Sequence, residues 1–172
     1  MAKKQLFVDM DGTLARFHDE EKYLERMYEQ DFFFKLKPFE QALRGIKKLI
    51  ALHADEVDVN ILSTSISDNC SKDKYRWCDE YLPEIPRERI ILTPVGEDKM
   101  RFITITDHGA SFLLDDYNLN LEKTNTTAVV PIKAVNNIND KGRVGKIWQG
   151  YRCNVCSEDF YEQLTSIIFA RN

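Results

Sequence analysis

The chain alternates short, mainly apolar runs with longer stretches in which apolar residues return every three or four positions. QLFVD at 5–9, VDVNIL at 57–62, RIIL at 89–92, SFLL at 111–114 and TAVVPI at 127–132 predict strands. Their near-continuous apolar character is what a strand covered on both faces requires. Proline cannot donate to a ladder, so Pro131 is expected at the end or edge of the last strand. Between these runs the helical period takes over. Residues 19–30 place Tyr23, Leu24, Met27 and Tyr28 on one face. Pro38, tolerated in a first turn, opens a helix through about residue 53, with Leu43, Ile46, Leu49 and Ile50 as its stripe. Residues 71–82 carry Tyr75, Cys78 and Leu82 on one side, 97–103 predict a short helix, and 157–170 a closing helix with Phe160, Leu164, Ile167 and Ile168 inward. Strands alternating with helices predict an α/β fold, a parallel sheet with helices on both faces.

Composition narrows the picture. The 172 residues suit a single domain and suffice to bury roughly 70% of the unfolded surface. With 43% hydrophobic and 30% charged residues the chain is a folded, water-soluble type. Its net charge of −4 argues against binding a nucleic acid polymer, which demands a basic surface, and leaves room for a small phosphorylated ligand. No segment approaches the roughly 20 apolar residues of a membrane span, and the run Leu6–Val8 is too short for a signal peptide. The expectation is a cytoplasmic protein without membrane association. Oligomeric state is not set by the sequence.

Cys153 and Cys156 form a C-x-x-C pair. Zinc needs about four ligands, and His18, His53 and His108 do not stand at ligand spacing from it. A redox pair would open a helix after a strand. Ordinary reduced thiols are expected, with redox and metal roles as the alternatives.

In a parallel sheet, ligands bind outside the carboxyl ends of the strands. The first strand ends in Asp9-Met10-Asp11-Gly12-Thr13. Carboxylates at i and i+2 of an extended segment project to the same side. Their repulsion calls for a hard divalent cation, magnesium above all. The plainer alternative is a solvated acidic turn. The second run leads into Ser63-Thr64-Ser65, whose hydroxyls suit phosphate oxygens or else a turn or helix cap. Lys99, after the third, suits phosphate or else open solvent. The fourth ends in Asp115-Asp116: a metal ligand with a supporting acid, or an acidic turn. Together these are the parts for phosphoryl transfer through an aspartyl phosphate.

On these residues the chain resembles the haloacid dehalogenase-like phosphatases, with DMDGT (9–13), Thr64, Lys99 and Asp115–Asp116 matching the four motifs in order. Within them it is most similar to the 5'(3')-deoxyribonucleotidases, in a bacterial and phage branch, through FVDMDGTLARF, FFFKLKPFEQAL, ILSTS, DKYRWCDEYL, ILTPVGEDK and FLLDD. The resemblance implies a Rossmann-like core with a small helical cap at about 18–35. It implies Asp9 as nucleophile, Asp11 as general acid and base, and Mg2+ held by Asp9, the backbone carbonyl of Asp11, and Asp116. It further implies Thr64, Ser65 and Lys99 on the phosphate, with Asp115 orienting Lys99 or a metal-bound water. Phe17, and Tyr28 (less well Met27) from the cap, would touch the nucleoside of a deoxyribonucleoside monophosphate. Aromatic faces stack on bases, although Tyr23 and Phe32–Phe34 also suit the cap's own core. The cap stretch is shorter than in the animal enzymes, DDYN replaces the usual DDRP, and 129–152 has no counterpart there. A phosphatase of the same mechanism for another small phosphoester, and a non-catalytic phosphate-binding module, are the competing readings.

Overall fold

Strand β1 (Lys4–Val8) lies at the centre of a six-stranded, all-parallel sheet. The computed structural model describes residues 2–105, 110–126, 128–138 and 147–170. His108, Thr127 and residues 139–146 of the unmatched 129–152 stretch lie outside these residues.

The other strands are β2 (Val57–Ser65), β3 (Ile90–Pro94), β4 (Ser111–Asp115), β5 (Val129–Val135) and β6 (Tyr151–Asn154), in the spatial order β3-β2-β1-β4-β5-β6. The order reverses between β1 and β4, and the carboxyl ends at such a reversal are where open α/β sheets bind ligands. This is the parallel α/β arrangement that the alternation of runs predicts, and the Rossmann-like core that the resemblance implies.

Side chains of β1 divide by the two-residue period. Leu6 and Val8 enter the larger core with helices α2 (Glu40–His53), α3 (Asp68–Tyr81) and α5 (Phe160–Phe169). Phe7 enters a smaller cluster on the other face, with Leu62, Leu113, Ile103, Trp148 and Leu121 of α4 (Asn118–Glu122). One face is therefore covered by three long helices and the other by short elements. Each fully buried Leu or Phe contributes roughly 1.5–3 kcal/mol to this arrangement. The inward residues of the closing helix, Phe160, Leu164, Ile167 and Ile168, are all buried as their spacing predicts.

Three local expectations are corrected, and a fourth, for Pro131, holds as an edge rather than an end. The helix over 19–30 shrinks to α1 (Tyr23–Arg26), which buries none of its residues. So short a segment gains too few hydrogen bonds to offset nucleation, and left-handed backbone at Lys22 (φ 53°) and Asp31 (φ 59°) brackets it. Pro38 stands outside α2, bridged to Ala15, and Phe39 is the N-cap. β6 was not expected from YRCN, because four largely polar residues carry no strand signal. Pro131 lies inside β5, opposite Leu113. Pairing with β6 starts only at Ile132, so at Pro131 the other side of β5 is a local edge.

Residues 14–16 and 37–39 run side by side, with Arg16 N–H donating to Lys37 O (2.9 Å) and Phe39 N–H to Leu14 O (2.8 Å). The segment between them leaves and rejoins the body at one place, beside the end of β1. Among the described residues no helix is long and apolar enough to cross a membrane.

Candidate active site

Asp9 follows β1 directly, and its N–H donates to Leu114 O of β4 (2.9 Å), which ties the two acid-bearing strand ends together. Lys99 opens a 3-10 turn (Lys99–Phe102) after β3 and is buried. Its Nζ donates to Asp9 Oδ1 (2.5 Å) and Asp115 Oδ2 (2.8 Å). Asp115 is saturated further: Oδ1 accepts from Tyr117 N–H (2.8 Å) and Oδ2 from Asn120 Nδ2 (3.0 Å). These bonds turn Asp115 toward Lys99 and leave it little capacity for another partner.

Asp9, Asp115 and Asp116 each offer a carboxylate oxygen, all within 4.8 Å of one another. Burial pushes the Asp9 carboxyl up to about 7; Lys99 opposes the shift, and Asp115 and Asp11 add to it. Asp116 is held well above the ordinary carboxylate range by burial first, then by Asp9 and Asp115. Buried acids crowded in this way are the donor set that a hard divalent cation relieves, so the residues fit magnesium.

Asp11 pairs with a residue that the sequence reading missed. Lys74 of α3 is fully buried and places Nζ 2.5 Å from Asp11 Oδ2, 2.8 Å from Ser63 Oγ and 2.7 Å from Thr64 O. Asp11 Oδ1 is buried and accepts no hydrogen bond among the described residues. A signal for Lys74 was available: it falls on the inward stripe Cys70, Trp77 and Cys78, where an unpaired charge is costly.

With all four acids ionised, Asp9, Asp11, Asp115 and Asp116 face three ammonium groups (Lys74, Lys99, Lys133), an excess of one negative charge that burial opposes by raising Asp9 and Asp116. A divalent cation reverses that balance and makes this cluster hospitable to a phosphate dianion.

The hydroxyl residues differ in their surroundings. Thr64 Oγ1 lies 3.3 Å from Thr93 Oγ1. Ser65 Oγ is occupied by Ser71 Oγ (2.7 Å) and Ser67 O (3.0 Å), at the start of α3. Phe17 joins an aromatic cluster: Tyr23 at 4.8 Å, His18 at 5.2 Å, and Phe33 stacked at 5.8 Å between ring centroids. Phe33 in turn lies 4.8 Å from Lys74 Nζ, so the cluster reaches the Asp11 pair. Phe32 and Phe33 are buried in the core, whereas Tyr28 is 66% exposed on the outer turn. Cys153 is buried, its thiol pushed up to about 12, and Cys156 is exposed; both are free thiols.

This architecture matches solved structures along nearly the whole chain. D,D-heptose 1,7-bisphosphate phosphatase from Burkholderia thailandensis superposes with a TM-score of 0.62 at 12% identity, covering 99% of this chain and 100% of that one. A protein assigned to the haloacid dehalogenase-like hydrolases, from Burkholderia xenovorans, gives 0.61 at 11% identity over 94% and 96% of the two chains. These likenesses define the haloacid dehalogenase-like fold. No curated protein matches the sequence. The family model for the 5' nucleotidase, deoxy (pyrimidine), cytosolic type C protein matches residues 18–156, a span that begins just after Asp9 and Asp11. The chain belongs to that family and is a phosphatase, a hydrolase of phosphate monoesters.

Proposed function

We propose that the chain is a magnesium-dependent 5'(3')-deoxyribonucleotidase acting through an aspartyl phosphate on Asp9. The observation that carries this reading is the pair of lysine-held acids at the end of β1: Asp9 on Lys99, Asp11 on Lys74, two residues apart. One Asp9 oxygen attacks phosphorus while Asp11 donates a proton to the leaving ester oxygen. Water then attacks the phosphoryl group, Asp11 takes the water's proton, and Asp9 and inorganic phosphate separate. Lys99 and Lys74 hold the two carboxylates in register, and Lys99 and Thr64 face the phosphoryl oxygens. Ser65, with its hydroxyl engaged at the start of α3, supports that loop in this reading and offers phosphate its backbone. Asp9, the carbonyl of Asp11, and Asp116 would hold magnesium, which offsets phosphoryl charge when bound. Asp115 keeps Lys99 in place. The segment at 18–35 acts as the cap, with Phe17 and Tyr28 toward the nucleoside. The family assignment and the absence of a membrane-spanning helix among the described residues support small soluble substrates and a cytoplasmic place of work.

A panel of deoxyribonucleoside and ribonucleoside 5'- and 3'-monophosphates against sugar phosphates, with Mg2+ or EDTA, tests the reading. Deoxyribonucleotides should give the highest kcat/KM, and EDTA should abolish turnover. Preference for sugar phosphates would move the chain to another substrate class with the chemistry intact. Full activity in EDTA would remove the metal.

A further inference from the structure

β5 has no strand-end acid and plays no part in the mechanism above, yet its carboxyl end grips Asp116 at two points. Asn136 follows β5 and is 3% exposed. Its Nδ2 donates to Asp116 Oδ2 (3.1 Å) and to Gly12 O (2.8 Å). Its Oδ1 accepts from Ile138 N–H (3.0 Å), which fixes the amide's orientation, since a flipped carboxamide would set oxygen against two acceptors. Lys133, on the same strand, donates through Nζ to the backbone carbonyl of Asp116 and to Asn118 Oδ1 (2.7 Å). One carboxamide therefore stitches the turn after Asp9 to the turn after β4, and an ammonium pins the main chain of the same aspartate. His18 Nδ1 stands 3.8 Å from Asp116 Oδ2.

We propose that Asn136, backed by Lys133, is a positioning residue that aims the Asp116 carboxylate at Asp9 and thereby sets the affinity for the divalent cation. The inference rests on the magnesium reading of this site. An aspartate freed from both donors turns toward solvent or toward His18, and the cation loses one of its two side-chain carboxylates. Groups that orient metal ligands in this way typically change metal affinity by roughly 10–100-fold when removed.

The test is Mn2+ binding to the full chain, followed by electron paramagnetic resonance, for wild type, Asn136→Ala and Asn136→Ser; the serine is too short to reach both Gly12 and Asp116. The expected result is a Kd raised roughly tenfold or more in both variants. In turnover assays the Mg2+ requirement shifts upward by a similar factor, while kcat at saturating Mg2+ and the substrate KM stay near wild type. A residue that only stiffened the loop would move neither Mn2+ affinity nor the Mg2+ requirement selectively. Should either folded variant bind Mn2+ within about twofold of wild type, the positioning role is wrong and the magnesium reading stands. If wild type itself binds no Mn2+, both fall.

Discussion

Lys74 and Asp11 are joined by an ion pair across 63 residues of sequence, with Nζ 2.5 Å from Oδ2 and the ammonium fully enclosed. The lysine also donates to Ser63 Oγ and Thr64 O, so one buried cation fixes the Asp11 carboxylate, the proposed acid and base, relative to the end of β2. Lys74→Met keeps the length and the apolar stem and removes every donor. The expected result is a loss in kcat of roughly 10²–10⁴-fold, the range for misplacing a general acid and base. Circular dichroism should show the fold retained, because Asp11 stays partly open to water and its orphaned charge is not sealed in the core. Lys72→Met, an exposed neighbour on the same helix, should leave kcat unchanged. Activity of Lys74→Met within twofold of wild type would take Lys74 out of the mechanism.

That such a residue escaped the sequence reading shows where legibility ends. The parallel sheet was readable because strands covered on both faces must be apolar throughout, and the acids that terminate them stand out. Asp9, Asp11, Asp115 and Asp116 are conspicuous for that reason, and the structure gathers Asp9, Asp115 and Asp116 within 4.8 Å. Lys74, Lys133 and Asn136 lie on a helix stripe and a strand end where a polar residue gives no sign of its partner; their partners lie 63, 17 and 20 residues away. β6 was missed because its pairing with β5, not its own sequence, makes YRCN a strand. The 19–30 segment failed differently: a helical period is present, but only Tyr23 and Met27 pack against the core and no residue of Tyr23–Arg26 is fully buried, too little to offset the backbone entropy of a longer helix.

The crowded acids make stability depend on pH when no metal is bound. Burial raises the folded-state value for Asp9 from 3.8 to about 7. A carboxyl raised on folding lends stability that is complete below about 3.8 and is lost as pH climbs through about 7. Asp116 shifts in the same direction, while His18, lowered by burial, acts oppositely near its unfolded value. The comparison is therefore wild type against Asp9→Asn in EDTA. Wild type should lose on the order of 1 kcal/mol more between pH 6 and pH 8, or roughly 2–4 °C in Tm. Saturating Mg2+ should remove the difference, since the cation favours the ionised acids. Parallel melting curves for the two proteins would contradict the raised value. Asp9→Asn should also abolish turnover with the fold intact.

Phe17 and Tyr28 separate the proposed nucleoside contact from plain packing of the 18–35 segment. Phe17 is held among Tyr23, His18 and Phe33, whereas Tyr28 stands 66% exposed. Stacking on a base is worth roughly 1–3 kcal/mol. Phe17→Ala should therefore raise KM for nucleotides about tenfold or more and leave sugar phosphates unaffected, with some loss in Tm from the vacated ring. Tyr28→Ala should leave Tm unchanged, so any KM effect there reports on substrate alone. An equal effect of Phe17→Ala on both substrate classes would mean that the ring shapes the cap rather than the base site.

Gly12 offers the sharpest separation of backbone strain from site chemistry. It adopts φ +85°, and a Cβ there would fall 2.3 Å from Asp116 Oδ2 and 2.8 Å from His18 Cε1. Gly96, in the loop after β3, has nearly the same backbone (φ +87°) with nothing within 4 Å of the added carbon. Alanine at either position costs about 1–2 kcal/mol for the left-handed conformation, so Gly96→Ala should lower Tm by that backbone cost alone and Gly12→Ala by more. Only Gly12→Ala must push the Asp116 carboxylate aside. It should lose Mn2+ affinity and at least roughly tenfold in kcat/KM at limiting Mg2+, while Gly96→Ala keeps both. Equal metal affinity in the two variants would show that the Asp116 carboxylate can leave Gly12 without consequence, and that the contact between them is incidental to the site.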